Sequence, residues 1–105
     1  MAITNTRLAT TASTNVFTAV GQQAITVMYI CNTTGSDARV NVFCIDSNDS
    51  SGPSNDNTIY SQLEVTANDT YVISTEKLIL DNGDFLEVEA NVADAVTVTV
   101  SSIAV

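Results

Sequence analysis

The chain contains no histidine and no tryptophan, and only Arg7, Arg39 and Lys77 among its 105 residues carry a positive charge. Without histidine, neither a Ser-His-Asp nor a Cys-His arrangement can form. A chain with three cations also lacks the several lysines and arginines with which nucleic-acid binders neutralise phosphates. The same shortage disfavours anionic membrane surfaces. We therefore expect no enzymatic activity, no nucleic-acid partner and no membrane partner.

Long apolar runs are also missing, and none approaches the ~20 residues that a membrane-spanning helix requires. The first 15 residues lack a basic start followed by a hydrophobic block, which predicts a chain that has no secretory signal and folds in a cytoplasm. The two cysteines, Cys31 and Cys44, flank a turn signal around Gly35. A hairpin centred there would hold their Cα atoms about 15 Å apart, beyond the ~7 Å limit for a disulfide. We predict two unpaired thiols that act as small core hydrophobes.

Candidate sites for metals and cofactors are weak. A zinc site would require more cysteine or histidine than the chain has. The loop that begins at Asp46 is spaced like the start of a calcium loop, but its twelfth position is Asn57 instead of glutamate, so a solvated loop is the preferred interpretation. Glu87 and Glu89 share one side of a predicted strand, which is more typical of a solvated face than of a catalytic carboxylate pair. We expect no cofactor, no metal ligands and no catalytic residues.

Acidic residues dominate the charge, with 12 aspartates and glutamates against the three cations and a net charge of −9. Such a balance promotes solubility. It would equally suit an outward acidic face on a repeating assembly, where repulsion prevents further association. The composition leaves both interpretations open.

Short strand patterns separated by turns fill the chain. Residues 95–100 alternate valine with alanine or threonine, which indicates a strand with one buried face. Similar segments recur at roughly ten-residue spacing, without a capped helical pattern. We predict an all-β fold, a single antiparallel β-sandwich that is jelly-roll-like and has seven to eight short strands. Residues 1–15 would form an N-terminal arm or edge strand, and residues 16–105 the β-sandwich domain.

The last quarter of the chain, residues 78–105, is predicted to organise the core. Asn82-Gly83 is a hairpin signal, because both residues tolerate the positive φ of tight turns. Beyond Val100 the apolar pattern changes parity at Ser101-Ser102, where we expect a β-bulge that turns Ile103 and Val105 inward.

A second strand pattern, residues 23–31, is apolar on both faces, and we expect it to form a hairpin with residues 40–45. Because one face is already apolar, Met28 and Ile30 on the other face are predicted to contact another subunit. We therefore expect a homo-oligomer, with a trimer favoured. Arg7 and Arg39 are candidate partners for acidic groups on a neighbouring protein, or else solvated surface charges. The predicted interface residues are Arg7, Met28, Ile30 and Arg39.

Four short motifs stand out in the second half of the chain: the turn Asn68-Asp69-Thr70, the strand Leu78–Leu80, the turn Gly83-Asp84 and the alternating ending Ala93–Val100. Together they resemble motifs of the short β-sandwich structural proteins of tailed-bacteriophage virions. The resemblance implies a virion protein on the capsid surface, assembled in the host cytoplasm, with the major capsid protein as its partner. It implies no catalytic residues.

The expected function is that of a capsid decoration or cement protein, which binds the outer capsid surface and stabilises contacts between capsomers. One alternative is a neck, tail or baseplate component of the same kind of particle. A second alternative is a small sugar- or calcium-binding β-sandwich module.

Overall fold

The computed structural model describes residues 2–49, 52–74 and 78–105, and within these ranges it contains strands and no helix. The nine strands in chain order are β1 (Ala2–Arg7), β2 (Thr14–Thr18), β3 (Gln23–Asn32), β4 (Ala38–Ile45), β5 (Thr58–Val65), β6 (Thr70–Ile73), β7 (Leu78–Leu80), β8 (Phe85–Ala90) and β9 (Val96–Ala104). Accordingly, no helix of the described residues is long and apolar enough to cross a membrane.

Two antiparallel sheets pack face to face and confirm the predicted sandwich. Sheet A has the strand order β1-β9-β3-β6, with β7 also paired to β3, and sheet B has the order β2-β8-β4-β5. The chain changes sheet at almost every connection, which is jelly-roll connectivity. Valine is the commonest residue in the buried cluster between the sheets, because alternating β-branched residues fit a pleated surface that is buried on one side.

Nine strands occupy eight positions, which explains the small excess over the predicted seven to eight. β6 pairs with Met28–Cys31 of β3, and β7 pairs with Gln23–Ile25 of the same strand. The two short strands therefore lie one after the other along a single edge of sheet A.

The N-terminal segment belongs to this sandwich as an edge strand. β1 pairs with β9 from Ala2 to Arg7 without a break in register. Immediately afterwards Leu8 is fully buried in the core, and its backbone N–H donates to the carbonyl of Val96 at 2.8 Å. A deletion of residues 1–13 would thus remove a strand and a core side chain.

Both predicted hairpins were wrong, because the turns connect different sheets. Residues 33–37 join β3 of sheet A to β4 of sheet B, and the Asn82-Gly83 turn joins β7 of sheet A to β8 of sheet B. Gly83 does adopt the expected positive φ of 90°, and its N–H donates to the carbonyl of Ala19 at 2.9 Å. The residues of a turn determine that the chain reverses direction there. Which strands then pair depends on how the apolar inner faces of the two sheets are buried against each other.

The predicted bulge lies in the other strand of the pair. β9 keeps one parity, with Val96, Val98, Val100 and Ser102 all buried and Ile103 left 43% exposed. The extra residue is Thr26 of β3, which stands between the pairs Ile25–Ser102 and Val27–Ser101. Its hydroxyl donates to the carbonyl of Ser101 at 3.1 Å.

This bulge reverses the predicted orientation of β3. Met28 is 2% exposed and Ile30 is 0% exposed, so both lie in the core with Ile25. The expected open apolar face therefore does not contain them. Val27 and Tyr29 occupy the outer face of sheet A instead, because one inserted residue shifts the following side chains to the opposite side.

Truncation of neighbouring residues tests this orientation. We expect Ile30→Ala to lower the free energy of unfolding by about 2–5 kcal/mol, since it leaves a cavity in the core. Tyr29→Ala, one position along the same strand, should cost less than about 1 kcal/mol because the side chain is 43% exposed. Urea unfolding followed by circular dichroism would measure both. A larger loss for Tyr29→Ala would contradict the register of β3.

Candidate interaction surface

The outer faces of the two sheets differ sharply in charge. None of the described strands of sheet A (β1, β3, β6, β7 and β9) contains an aspartate or glutamate. In sheet B, by contrast, Glu64 lies on β5, and Glu87 and Glu89 lie on β8. The remaining acids that the structure describes lie in the connections between strands. On a protein of net charge −9, the outer side of sheet A is therefore exceptional.

The outer side of sheet A, named here the neutral face, combines apolar side chains with threonines. Three residues, Thr99, Tyr29 and Val72, form one row across β9, β3 and β6, and Ile103, Ala24 and Ile79 form another. The larger apolar members are Ile3, Val27, Tyr29, Val72, Ile79 and Ile103. Ile3 and Ile79 are the most exposed of these, at 66% and 63%.

The size of the neutral face can be judged from strand geometry. Four strands spaced ~4.8 Å apart, each with about seven residues at ~3.3 Å, span roughly 400 Å². Apolar patches of this size on a monomer are often functional. A stable interface, however, buries about 800 Å² on each partner. One neutral face alone therefore supports only weak binding.

Arg7 lies at one corner of the neutral face and is already paired within the chain. Its guanidinium forms a salt bridge with the carboxylate of Asp94 and donates a further hydrogen bond to the Asp94 carbonyl at 3.0 Å. The hydrogen bond and the opposite charge lower the pKa of Asp94 and raise the pKa of Arg7. The pair ties the end of β1 to the turn that precedes β9.

Arg39 lies on the opposite side of the molecule from Arg7. It is exposed on β4 in sheet B, 3.7 Å from the carboxylate of Glu64 on the neighbouring strand. The structure therefore does not bring the four predicted interface residues together. Arg7 and Arg39 lie on different sheets, and Met28 and Ile30 lie between them in the core.

The burial of Met28 and Ile30 removes the reason for expecting a trimer. That expectation depended on an open second face of β3 formed by these two residues. The surface that remains open on this strand is the part of the neutral face formed by Val27 and Tyr29. The sequence pattern pointed to Met28 and Ile30 instead of these two residues, although the lack of acids in the sheet A strands can be seen in the sequence once the strands are assigned.

A polar groove lies on the outer side of sheet B. It has a volume of about 330 Å³ and runs between β4, β5, β8 and residues 53–55 of the loop before β5. Asn41 holds its centre together: its amide nitrogen donates to Glu89 at 2.9 Å, and its amide oxygen accepts from the Gln62 backbone N–H at 2.8 Å. Gln62 has a positive φ of 55°, which is uncommon for a residue other than glycine. Phe43 lines the groove as its aromatic component.

An apolar opening of about 390 Å³ lies where the edges of the two sheets separate. Ile25 and Met28 form its inner wall, and side chains of β5, β6 and β7 form the rest. Nothing polar converges on it among the lining residues that the structure describes, apart from the hydroxyl group of Tyr60. It is an incompletely closed end of the core.

The cysteines are unpaired, as predicted, and lie in different sheets. Cys44 packs partly buried against the core. Burial, and secondarily the charge of Asp84, raises the pKa of the Cys44 thiol, so the thiol form is favoured. Cys31 points to the outer side of sheet A between the buried Ile30 and Asn32, so only Cys44 packs as the small core hydrophobe that was expected.

The loop that begins at Asp46 resembles the start of a calcium site in the spacing of its acids. Across the described ranges, no three cysteine or acidic side chains are grouped so that they could hold a metal ion. In this loop Asp46 accepts a hydrogen bond from the backbone N–H of Asn48 at 2.9 Å. Asn57 similarly binds the backbone of Gly52 and Ser54. These side chains stabilise the loop itself.

Comparison with known proteins adds no relative: no family model, no curated protein and no solved structure matches the chain. The resemblance to phage virion proteins, and the absence of enzymatic activity, stay predictions.

The Arg7–Asp94 pair predicts a specific dependence of stability on pH. Because the folded state lowers the pKa of Asp94, the pair stabilises the fold at neutral pH, and this contribution is lost as the pH falls through the lowered pKa. Asp94→Asn keeps a residue that tolerates the positive φ at this position. We expect it to be slightly less stable than the wild type at pH 7 and equally stable well below pH ~4. A difference in urea midpoint that stayed constant from pH 7 to pH 2 would contradict this.

Proposed function

We propose that this chain is a virion structural protein of the capsid decoration type, which binds the outer surface of a capsid and stabilises contacts between capsomers. The observation that carries the proposal is the neutral face, an apolar and acid-free sheet surface on a protein of net charge −9. The resemblance of the turns and the final strand to phage virion proteins provides the biological setting.

The charge distribution supports one orientation on the shell. If the neutral face contacts the capsid, the glutamates of sheet B point toward solvent. Charges separated by more than about 8 Å at physiological ionic strength are largely screened, so the acids of sheet B hardly oppose docking of the other sheet. Adjacent copies would also present acidic outer surfaces that repel further layers.

The small area of the neutral face fits a protein that acts in many copies. A contact of roughly 400 Å² per partner binds weakly, as estimated from strand geometry. A ligand that binds only the assembled shell nevertheless stabilises it by mass action, and each additional bound copy adds to the total. Rigidity, supplied here by two packed sheets, is then more useful than a high affinity per copy.

Charge insertion on the neutral face tests the proposal. The double variant Val72→Asp/Ile79→Asp places two carboxylates on exposed positions of β6 and β7. We expect it to bind bare capsids at least tenfold more weakly than the wild type, as measured by co-sedimentation, because each carboxylate would be desolvated in the contact. The double variant Ser61→Asp/Thr66→Asp adds the same charge at exposed positions in and just after β5 of sheet B, and it should bind like the wild type. Equal binding by all three proteins would refute docking through the neutral face.

A neck, tail or baseplate location is the alternative within the same kind of particle. The neutral face would serve equally well against a tail protein. Labelled protein added to intact particles distinguishes the two locations. Label over the whole shell supports the capsid location, and label confined to the tail supports the tail location instead.

A sugar-binding module is the second candidate, and the polar groove on sheet B favours it. Asn41 and Glu89 offer amide and carboxylate groups of the kind that bind sugar hydroxyls, and the largely buried Phe43 lines the same groove. NMR titration of isotope-labelled protein with a panel of glycans would test sugar binding. Shifts confined to groove residues at millimolar ligand would favour this candidate, and unchanged spectra would remove it.

A further inference from the structure

The four edges of the two sheets are not equally protected against strand addition. β2 changes register between Asn15 and Phe17, where it pairs with β8. β5 changes register twice against β4 and contains Gln62 at positive φ. The edge formed by β6 and β7 is divided between two short strands. Breaks and bulges of this kind are the usual means by which proteins prevent edge-to-edge association.

β1 has none of these protections. It forms six consecutive pairs with β9 without a register shift, and among the described strands it pairs with β9 alone. Its sequence, AITNTR, contains no proline, no glycine and no acid, and its only charge is that of Arg7. The side of β1 that faces away from β9 is thus a regular strand edge with main-chain groups available for pairing.

We propose that the edge of β1 binds β1 of a second copy of this chain, antiparallel and across a two-fold axis. Identical strands that pair antiparallel form a closed contact, so the product is a dimer. The two copies of sheet A would then form one continuous sheet of eight strand positions. This inference is independent of the proposed function, since it concerns the edge of the sheet and not its face.

Charge identifies the second copy as the occupant. Two molecules of net charge −9 repel each other, so a self-contact is least opposed where no acid lies nearby. β1 meets this condition, because Asp94 at its end is neutralised by Arg7. The two edges of sheet B are less suitable by charge: β5 contains Glu64, and Glu87 next to β2 accepts a hydrogen bond from Ser13 at 2.7 Å. The edge of β6 and β7 has no acid in its described strands, but it is divided between two short strands. In an antiparallel pair the two Arg7 side chains lie at opposite ends of the contact.

Asn5 offers a charge-swap test of this pairing. It lies in the middle of β1, and its amide oxygen accepts a hydrogen bond from the Thr99 hydroxyl at 2.8 Å. Asn5→Asp retains an acceptor oxygen there, and Asn5→Lys introduces the opposite charge. In a homotypic antiparallel pair, each variant alone brings two like charges together, whereas a mixture of the two brings opposite charges together.

Sedimentation equilibrium of the wild type and both variants is the experiment. We expect a weak wild-type dimer, with a dissociation constant on the order of 0.1–1 mM because the contact is small, and stronger association at high salt. Each variant alone should dimerise at least fivefold more weakly, and an equimolar mixture should recover the wild-type level. Thr70→Asp, an acid on the opposite edge strand of the same sheet, should leave the dimer unchanged.

Three results would overturn the proposal: a wild type that stays monomeric at millimolar concentration, a dimer that is insensitive to both Asn5 variants, or a mixture that fails to recover association. Thermal unfolding controls for the fold of each variant. Should a variant not fold, the wild-type protein alone can test the pairing, because NMR shows which backbone amide chemical shifts change with protein concentration. Shifts that cluster on β1 support the pairing, and shifts confined to other strands refute it.

Discussion

The pairing of β3 with β9 at the centre of sheet A determines what the molecule shows to its surroundings. Ten residues of β3 and nine of β9 run side by side, and the inserted Thr26 is the only irregularity in their register. That one residue sends Met28 and Ile30 into the core and leaves Val27 and Tyr29 outside. Without it, the composition of the neutral face and the filling of the core would both differ.

The neutral face is a second consequence of this arrangement. The central strands of sheet A must be apolar on the inside to cover sheet B, and they are apolar or uncharged on the outside as well. A sheet that only faced water would normally alternate apolar and polar residues. Among the described residues, the acids lie instead in the connections and on strands β5 and β8 of sheet B, so the outer side of sheet A is the surface without carboxylates on its strands. A dimer through β1 would place two neutral faces next to each other and roughly double the available area, from about 400 Å² to about 800 Å².

Sequence reasoning predicted the fold class, because strand period and turn spacing are local properties. The alternation of residues 95–100 identified β9 and its buried valines, and the unpaired cysteines were also predicted correctly. Strand pairing was not predictable in the same way. The Asn82-Gly83 turn has the chemistry of a hairpin, yet the strands beside it belong to different sheets, a choice made by long-range burial. The bulge was predicted in β9 because the apolar residues of its sequence change parity after Val100. In the structure β9 is regular, and Ile103 is simply an exposed apolar residue near its end.

The candidate surface was predictable only in part. Arg7 and Arg39 both lie at the surface, and their separation on two sheets depends on the topology. The exposure of Tyr29 depends on a single inserted residue that no local pattern marks. The absence of acids from the sheet A strands, in contrast, can be seen in the sequence once the strand assignment is made.

The proposed function requires that sheet A faces a partner and sheet B faces solvent. Cryo-electron microscopy of capsids incubated with the protein would test it most directly, because a map that resolves strands distinguishes the two sheets. We expect density for the sandwich on the outer shell, with β3, β6 and β9 toward the capsid and the glutamates of β8 toward solvent. A bound sandwich whose sheet B lies against the shell would contradict it.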